Sequence, residues 1–242
     1  MIRVKKEEHN LSMRKGARTP PYPTLGDHDN VPLVYHHVVP YNKLAAFWNE
    51  LIEHPDHIAE IKRMTDRMVN RFPDYRTTLR PEDGEHLIAL LKKLPTYAHE
   101  PGKLVPGDGA SWDNFMLIYG TPPGNTFAGP DGDNRSDDPK ESFESDCEPI
   151  ITKDRFNRLK ALDGNIDTYL KSRSKNDAIT AIRGLETDTI DKYEIPQFKA
   201  SQWGKANGKF FIKKKRDDGR QLPDPARKKI RVRGNIDLEI EF

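Results

Sequence analysis

Two adjacent histidines, His36 and His37, stand near the end of a short apolar segment, Leu33 to Val39, that Pro40 stops. A strand built only for packing avoids imidazoles, because each buried ring brings a donor and an acceptor that need partners. A neutral imidazole, with an ordinary pKa of roughly 6.5, is suited to take a proton from water near neutral pH. That is the first requirement of phosphodiester hydrolysis. The second is a cation that relieves charge on the phosphate and the leaving oxygen. Further along, Asn125 leads a second short apolar piece, and Asp138 precedes Pro139 within an acidic stretch that also holds Arg135. Neighbouring residues of a strand face opposite sides. Both histidines can therefore serve one centre only where the chain bends, and Pro40 lets a loop begin at once.

The elements that must position these residues follow from periodicity. After the His-His strand, Asn42 is the expected N-cap of a helix whose Leu44, Phe47, Trp48 and Leu51 share one face. A second helix is expected from Pro55 to Pro73 with Ile58, Ile61, Met64 and Met68 inward, and a third from Pro81 to Leu94. On these helices His54, His57 and His86 read as surface histidines. Gly and Pro bracket a strand from Asn125 to Ala128. Asp138-Pro139 is a helix-start pair, predicting a short helix over 139–146. Two longer helices are expected over 154–171, with Phe156, Leu159, Leu162, Ile166 and Leu170 inward, and from a Ser174 cap to Ile190, with Ile179, Ile182 and Leu185 inward. Strands are expected over 209–216, 228–233 and 236–242, the last alternating with period two.

Composition bounds the class. The chain has 242 residues, 35% hydrophobic and 32% charged, with a net charge of +2 and one cysteine, Cys147. No internal disulfide or cysteine metal knuckle is available. No run approaches the roughly 18 apolar residues of a membrane helix, and no signal-peptide core is present. The charge is segregated. Residues 131–148 hold eight acids against Arg135 and Lys140, whereas residues 199–233 hold thirteen Lys and Arg against three Asp. The basic stretch carries Trp203, Phe210 and Phe211, and Lys213, Lys214, Lys215 and Arg216 form its densest run, the pattern of a surface that tracks phosphates. Residues 1–30 read as a basic, Pro-rich extended arm, and 31–242 as one domain.

Tyr35-His36-His37-Val38-Val39-Pro40 resembles the first motif of the His-Me finger endonucleases (HNH-like, ββα-metal), and is also similar to the Glu-His-Val-Val-Pro motif of periplasmic endonuclease I types. The resemblance covers about eight residues there and is looser over 120–145. It implies that His37 is the general base and His36 a metal ligand. Asn125 would match the Asn of the second strand, which binds the metal in some members and orients the catalytic loop in others. The third metal position would fall to Asp138, with Asp137 and Glu141 as alternatives, and Arg135 would contact phosphate. Mg²⁺ is the implied cation, with Zn²⁺, Mn²⁺ and Ni²⁺ also suited to imidazole ligands. Two departures stand out. About 85 residues separate His37 from Asn125, and no histidine follows His99.

The expected fold is α+β, mainly helical, with a ββα-metal core split over 33–148 by a helical insertion at 43–119. Residues 150–242 would add a helical pair and a basic antiparallel β-hairpin. The expected function is metal-dependent, nonspecific DNA cleavage. Gly129-Pro130 and Arg135 to Pro139 also look like the C-terminal toxin domains of bacterial polymorphic and type VI effectors. That likeness implies an antibacterial toxin, secreted without a signal peptide, acting in a target-cell cytoplasm and bound by a cognate immunity protein. The alternatives are an RNase using the same histidine without metal, and a non-catalytic nucleic-acid-binding module.

Overall fold

The computed structural model describes residues 27–28, 30–75, 89, 119–190, 194–214, 227–232 and 236–241. The architecture is α+β, with helices packed beside small antiparallel sheets. Strands β1 (Asp27–His28), β2 (Val31–His37) and β3 (Thr126–Pro130) form one sheet in that order. β2 and β3 run antiparallel, with His36 opposite Phe127 and His37 opposite Thr126. The two halves of the sequence pattern thus meet as neighbouring strands.

Between them lie α1 (Tyr41–Glu53) and α2 (Ile58–Tyr75). Helix α1 begins one residue before the expected cap. Pro40 holds the N-cap position in extended conformation, and Asn42 Oδ1 accepts from Lys43 N. Its face of Leu44, Phe47, Trp48 and Leu51 is buried, as are Ile61, Met64 and Met68 of α2, whereas Ile58 is exposed. The expected helix over 81–94 lies outside the described residues, apart from a helical Ala89.

After β3 come α3 (Glu148–Ile151), α4 (Lys153–Ser172) and α5 (Lys175–Leu185). The Ser174 cap is present: its hydroxyl accepts from Asp177 N. Phe156, Leu159, Leu162 and Ile166 enter the core as expected, but the next inward position is Tyr169 and not Leu170, which is partly buried. In α5 Ile182 and Leu185 are buried alongside Ala178 and Ala181, while Ile179 is half-buried. No helix forms over 139–146. Asp138 Oδ1 instead accepts from Lys140 N, and Lys140 takes a left-handed φ of 59°, which ends any helix start there.

Two hairpins close the chain. β4 (Trp203–Ala206) pairs with β5 (Lys209–Ile212), and β6 (Arg227–Val232) with β7 (Ile236–Glu241). The expected strand over 209–216 is therefore half of a hairpin with 203–206. Asn207 and Gly208 both have positive φ, the requirement of a tight two-residue turn that Asn-Gly meets at low cost. The β4–β5 hairpin docks on the loop after β3. Phe210 N donates to the Asn134 carbonyl, and Ser136 N donates to the Phe210 carbonyl. Gly129 makes the approach possible, since a Cβ there would meet the Trp203 ring at 2.6 Å. Among the described residues no helix is long and apolar enough to cross a membrane.

Candidate functional site

The end of β2 turns into α1 through Val38, Val39 and Pro40, all buried. Asn125 fixes that turn. Its Oδ1 accepts from Val39 N at 2.7 Å, its Nδ2 donates to the Val39 carbonyl at 2.8 Å, and Val38 N donates to the Asn125 carbonyl at 2.9 Å. Both ends of one fully buried amide thus clamp one residue 86 positions away. With its donor and its acceptor engaged there, Asn125 orients the loop after His37, and the expectation that it also ligates a metal does not fit this geometry.

His37 lies on the wall of a cleft of about 350 Å³, which His36, Tyr35, Tyr41, Asp138, Lys140, Glu141 and Glu144 also line. The Tyr41 ring sits 6.1 Å from the His37 ring, tilted by 51°. Gly120, where a Cβ would collide with Tyr41, lets this corner close. His37 Nε2 is buried and makes no hydrogen bond. Burial pushes the His37 pKa down to about 4, against the opposing pull of the Gly120 carbonyl beside the ring. The ring is therefore neutral at neutral pH, with a nitrogen that none of the described residues satisfies.

His36 is arranged differently. Its ring stacks on Phe127 at 5.3 Å. Nε2 lies 2.6 Å from the Pro130 carbonyl, which can only accept, and Nδ1 lies 3.2 Å from Arg135 Nη1, which can only donate. The partners therefore dictate the tautomer: Nε2 carries the hydrogen and Nδ1 the lone pair. Burial, then the Arg135 charge, hold His36 down to about 4, although the Pro130 carbonyl and Asp138 oppose them. Neither nitrogen is free for a metal.

Arg135 is the residue that sequence reading placed least well. Expected to meet phosphate, its side chain is fully buried. Nε donates to Asp137 at 3.1 Å, Nη1 to His36, and Nη2 to Glu144 at 3.0 Å, while the guanidinium lies 5.1 Å from the Trp203 ring centroid and 6.0 Å from that of Phe127. Each of its three nitrogens donates within the protein, so phosphate has no route to it. Glu144 Oε1 also accepts from Asp146 N, and Glu144 N donates to the Val38 carbonyl. Burial pushes the Glu144 carboxyl up to about 7 against the pull of Arg135. No local pattern distinguishes Arg135, because beyond Asp137 its partners come from β2, β3, β4 and a residue nine positions on.

Asp138 lies in the cleft near His36, as expected, with Oδ1 engaged by Lys140 N and Oδ2 over Gly132. Lys213 and Lys214 follow β5. Lys213 N donates to the Gln202 carbonyl, and the exposed Lys214 ammonium stands 3.1 Å from Asp146. Lys215 and Arg216 lie outside the described residues. Among the described residues no three His, Cys, Asp or Glu side chains are grouped to hold a metal ion. The donor set implied by the resemblance does not fit a divalent cation as it is arranged. His36 and Asn125 are engaged, and the Arg135 charge beside His36 disfavours a second cation.

No protein-family model and no solved structure matches the chain. Protein p9 of Acyrthosiphon pisum secondary endosymbiont phage 1 is 26% identical to it over 149 residues, covering 59% of this chain and 41% of that protein. The chain thus spans less than half the length of the phage relative it matches.

Proposed function

We propose that the chain is an endonuclease of the His-Me finger type that cleaves DNA phosphodiesters, with His37 as general base. One observation carries this reading: a neutral histidine that lines a cleft and keeps a buried, unpartnered Nε2, at a strand end just before the turn that the Asn125 amide clamps. The antiparallel pairing of β2 with β3 supports this reading, whereas the helix expected over 139–146 is absent. In the reaction, His37 Nε2 takes the proton of the attacking water, and the Gly120 carbonyl stabilises the imidazolium that forms. Asn125 and Arg135 do no chemistry. They fix the loop after the base and the strand that carries it. Lys213 and Lys214, with Lys215 and Arg216, supply the phosphate track. A toxin role, with delivery into a target cell and a cognate immunity protein, belongs to the same proposal and rests on the sequence resemblance alone.

One observation favours a second reading. The donors expected to hold a cation are engaged, and RNA brings its own nucleophile, the 2′-hydroxyl, so His37 could cleave it without a metal. Plasmid DNA and single-stranded RNA, each incubated with wild type and His37→Ala, with and without EDTA, separate the two. The DNA reading expects plasmid nicking that falls about 10²- to 10⁴-fold in His37→Ala. Cleavage of RNA alone, unaffected by chelator, selects the second reading. Undiminished cleavage by His37→Ala removes His37 from both.

A further inference from the structure

Three side chains with the chemistry of metal ligands surround one guanidinium beside the cleft. They are the Nδ1 lone pair of His36, a carboxylate oxygen of Asp137 and a carboxylate oxygen of Glu144. Each meets a different nitrogen of Arg135, at 3.0 to 3.2 Å, and the three are not grouped to hold a metal ion. We infer that the Arg135 guanidinium is the cation that organises His36, Asp137 and Glu144, and that His36 is a positioning residue and not a metal ligand.

Four features of the arrangement support this. First, guanidinium is planar, permanently charged and rich in donors, so it can satisfy an imidazole and two carboxylates at once, which an ammonium matches poorly. Second, the site is dry: Arg135 has no exposed side-chain surface, Glu144 is 2% exposed and Asp137 17%. In such surroundings a charge is tolerated only when paired, and removing one partner of a buried pair leaves the others uncompensated. Third, aromatic faces of Phe127 and Trp203 lie against the guanidinium, a setting for a flat organic cation and not for a hydrated metal ion. Fourth, the contacts radiate outward. Asp137 Oδ2 accepts from Ile212 N at 2.7 Å, Glu144 N donates to the Val38 carbonyl, and His36 Nε2–H reaches the Pro130 carbonyl. One charge therefore ties together β2, the strand end that carries His37, the loop after β3, and the β4–β5 hairpin with its lysines.

The consequence for cleavage rests on the proposed nuclease reading, whereas the assignment of His36 does not. If a divalent cation takes part in the reaction, its ligands are other than His36.

The test is nuclear magnetic resonance of the ¹⁵N-labelled full chain, reading the ring nitrogens of His36 before and after adding stoichiometric Zn²⁺. Wild type is expected to show the Nε2–H tautomer, with Nδ1 unprotonated and unmoved by Zn²⁺. The opposite tautomer, or an Nδ1 signal that shifts in proportion to Zn²⁺, overturns the inference. In Arg135→Met the three donors lose the guanidinium, and the His36 Nδ1 signal is expected to move from its wild-type position. A folded Arg135→Met whose His36 ring signals match wild type overturns the claim that Arg135 holds the ring. The wild-type spectra decide the assignment of His36 even where that variant does not fold. Plasmid cleavage by His37→Ala is read separately: failure there removes the nuclease reading and leaves the His36 result standing.

Discussion

The chain carries two histidine pairs, and both bring an imidazole into the interior. His36 and His37 end β2. His54 and His57 join α1 to α2, with ring centroids 5.2 Å apart. Sequence reading expects the second pair at the surface, yet His57 is 2% exposed. Its Nδ1 and the Tyr169 hydroxyl lie 3.1 Å apart in a hydrogen bond, His57 N donates to the His54 carbonyl, and His54 Nε2 pairs with Glu50 at 3.0 Å. Burial lowers the His57 pKa as it lowers that of His37. Depth and pKa direction therefore do not separate His37 from His57. Satisfaction does. His57 has its Nδ1, and His36 both ring nitrogens, engaged by partners that the fold supplies, whereas His37 lines the cleft and keeps a buried nitrogen with no partner.

Paired substitutions are the strongest way to break this comparison. His37→Ala is expected to reduce cleavage about 10²- to 10⁴-fold while costing only about 1 kcal/mol of stability, the loss of the ring's hydrogen bond to the Gly120 carbonyl. His57→Ala is expected to do the reverse. It leaves the buried Tyr169 hydroxyl unpaired beside a cavity, costing about 2–4 kcal/mol, with cleavage per folded molecule unchanged. Urea titration and single-turnover cleavage on the same samples read both quantities. Equal losses of activity in the two variants would mean that satisfaction does not mark the base.

A smaller effect is expected in the pH dependence of stability. His36 and His37 both fall from an ordinary 6.5 to about 4 on folding. Between those values the unfolded chain binds their protons and the folded chain does not, so stability is lost as pH falls from 6.5 toward 4. Glu144 runs the other way. Raised from 4.5 to about 7, it binds its proton more tightly when folded, so its contribution is complete below 4.5 and is lost as pH rises through 7. Between 4.5 and 6.5 two histidines oppose one carboxyl, which leaves roughly one proton net taken up on unfolding. Stability should then fall by about 1.4 kcal/mol per pH unit on acidification. His57, lowered too, adds in the same direction. Glu144→Gln removes the opposing group and should steepen the slope. Urea midpoints from pH 4.5 to 6.5 measure it, and a wild type that gains stability on acidification would contradict the buried, neutral state of the histidine pair.

Much of the fold is legible because it is local. The four long helices announce themselves by apolar spacing, and Ser174 is a cap by residue type and by contact. The α+β class follows from the same patterns. What escapes is set by partners distant in sequence. Asp138-Pro139 has the form of a helix start, but Glu144, five residues on, is drawn inward to Arg135, and Lys140 adopts a left-handed turn. Arg135 itself looks like any surface arginine until His36 and Trp203 arrive from 99 and 68 positions away. The candidate base was visible as an imidazole in an apolar strand, whereas the difference between His36 and His37 was not. It depends on which face of β2 meets the Pro130 carbonyl and which meets the cleft.

The gentlest probe of the comparison is Tyr169→Phe. It keeps the ring that packs edge-on against Phe47 at 5.3 Å and deletes only the hydroxyl beside His57 Nδ1. Net hydrogen bonds of this kind contribute about 0.5–1.5 kcal/mol, so a loss of that size is expected, well below that of His57→Ala. More telling is the state in which His57 is left. Without the hydroxyl its Nδ1 becomes a buried nitrogen with no partner, the condition of His37 Nε2 in the wild type. If an unpartnered buried imidazole were enough to make a nuclease, removal of the Tyr169 hydroxyl would let the double variant His37→Ala, Tyr169→Phe recover cleavage. No recovery is expected, because His57 lines neither the cleft nor the loop that Asn125 clamps. A base needs the empty nitrogen and the cleft together, and among the described residues the end of β2 is placed to offer both.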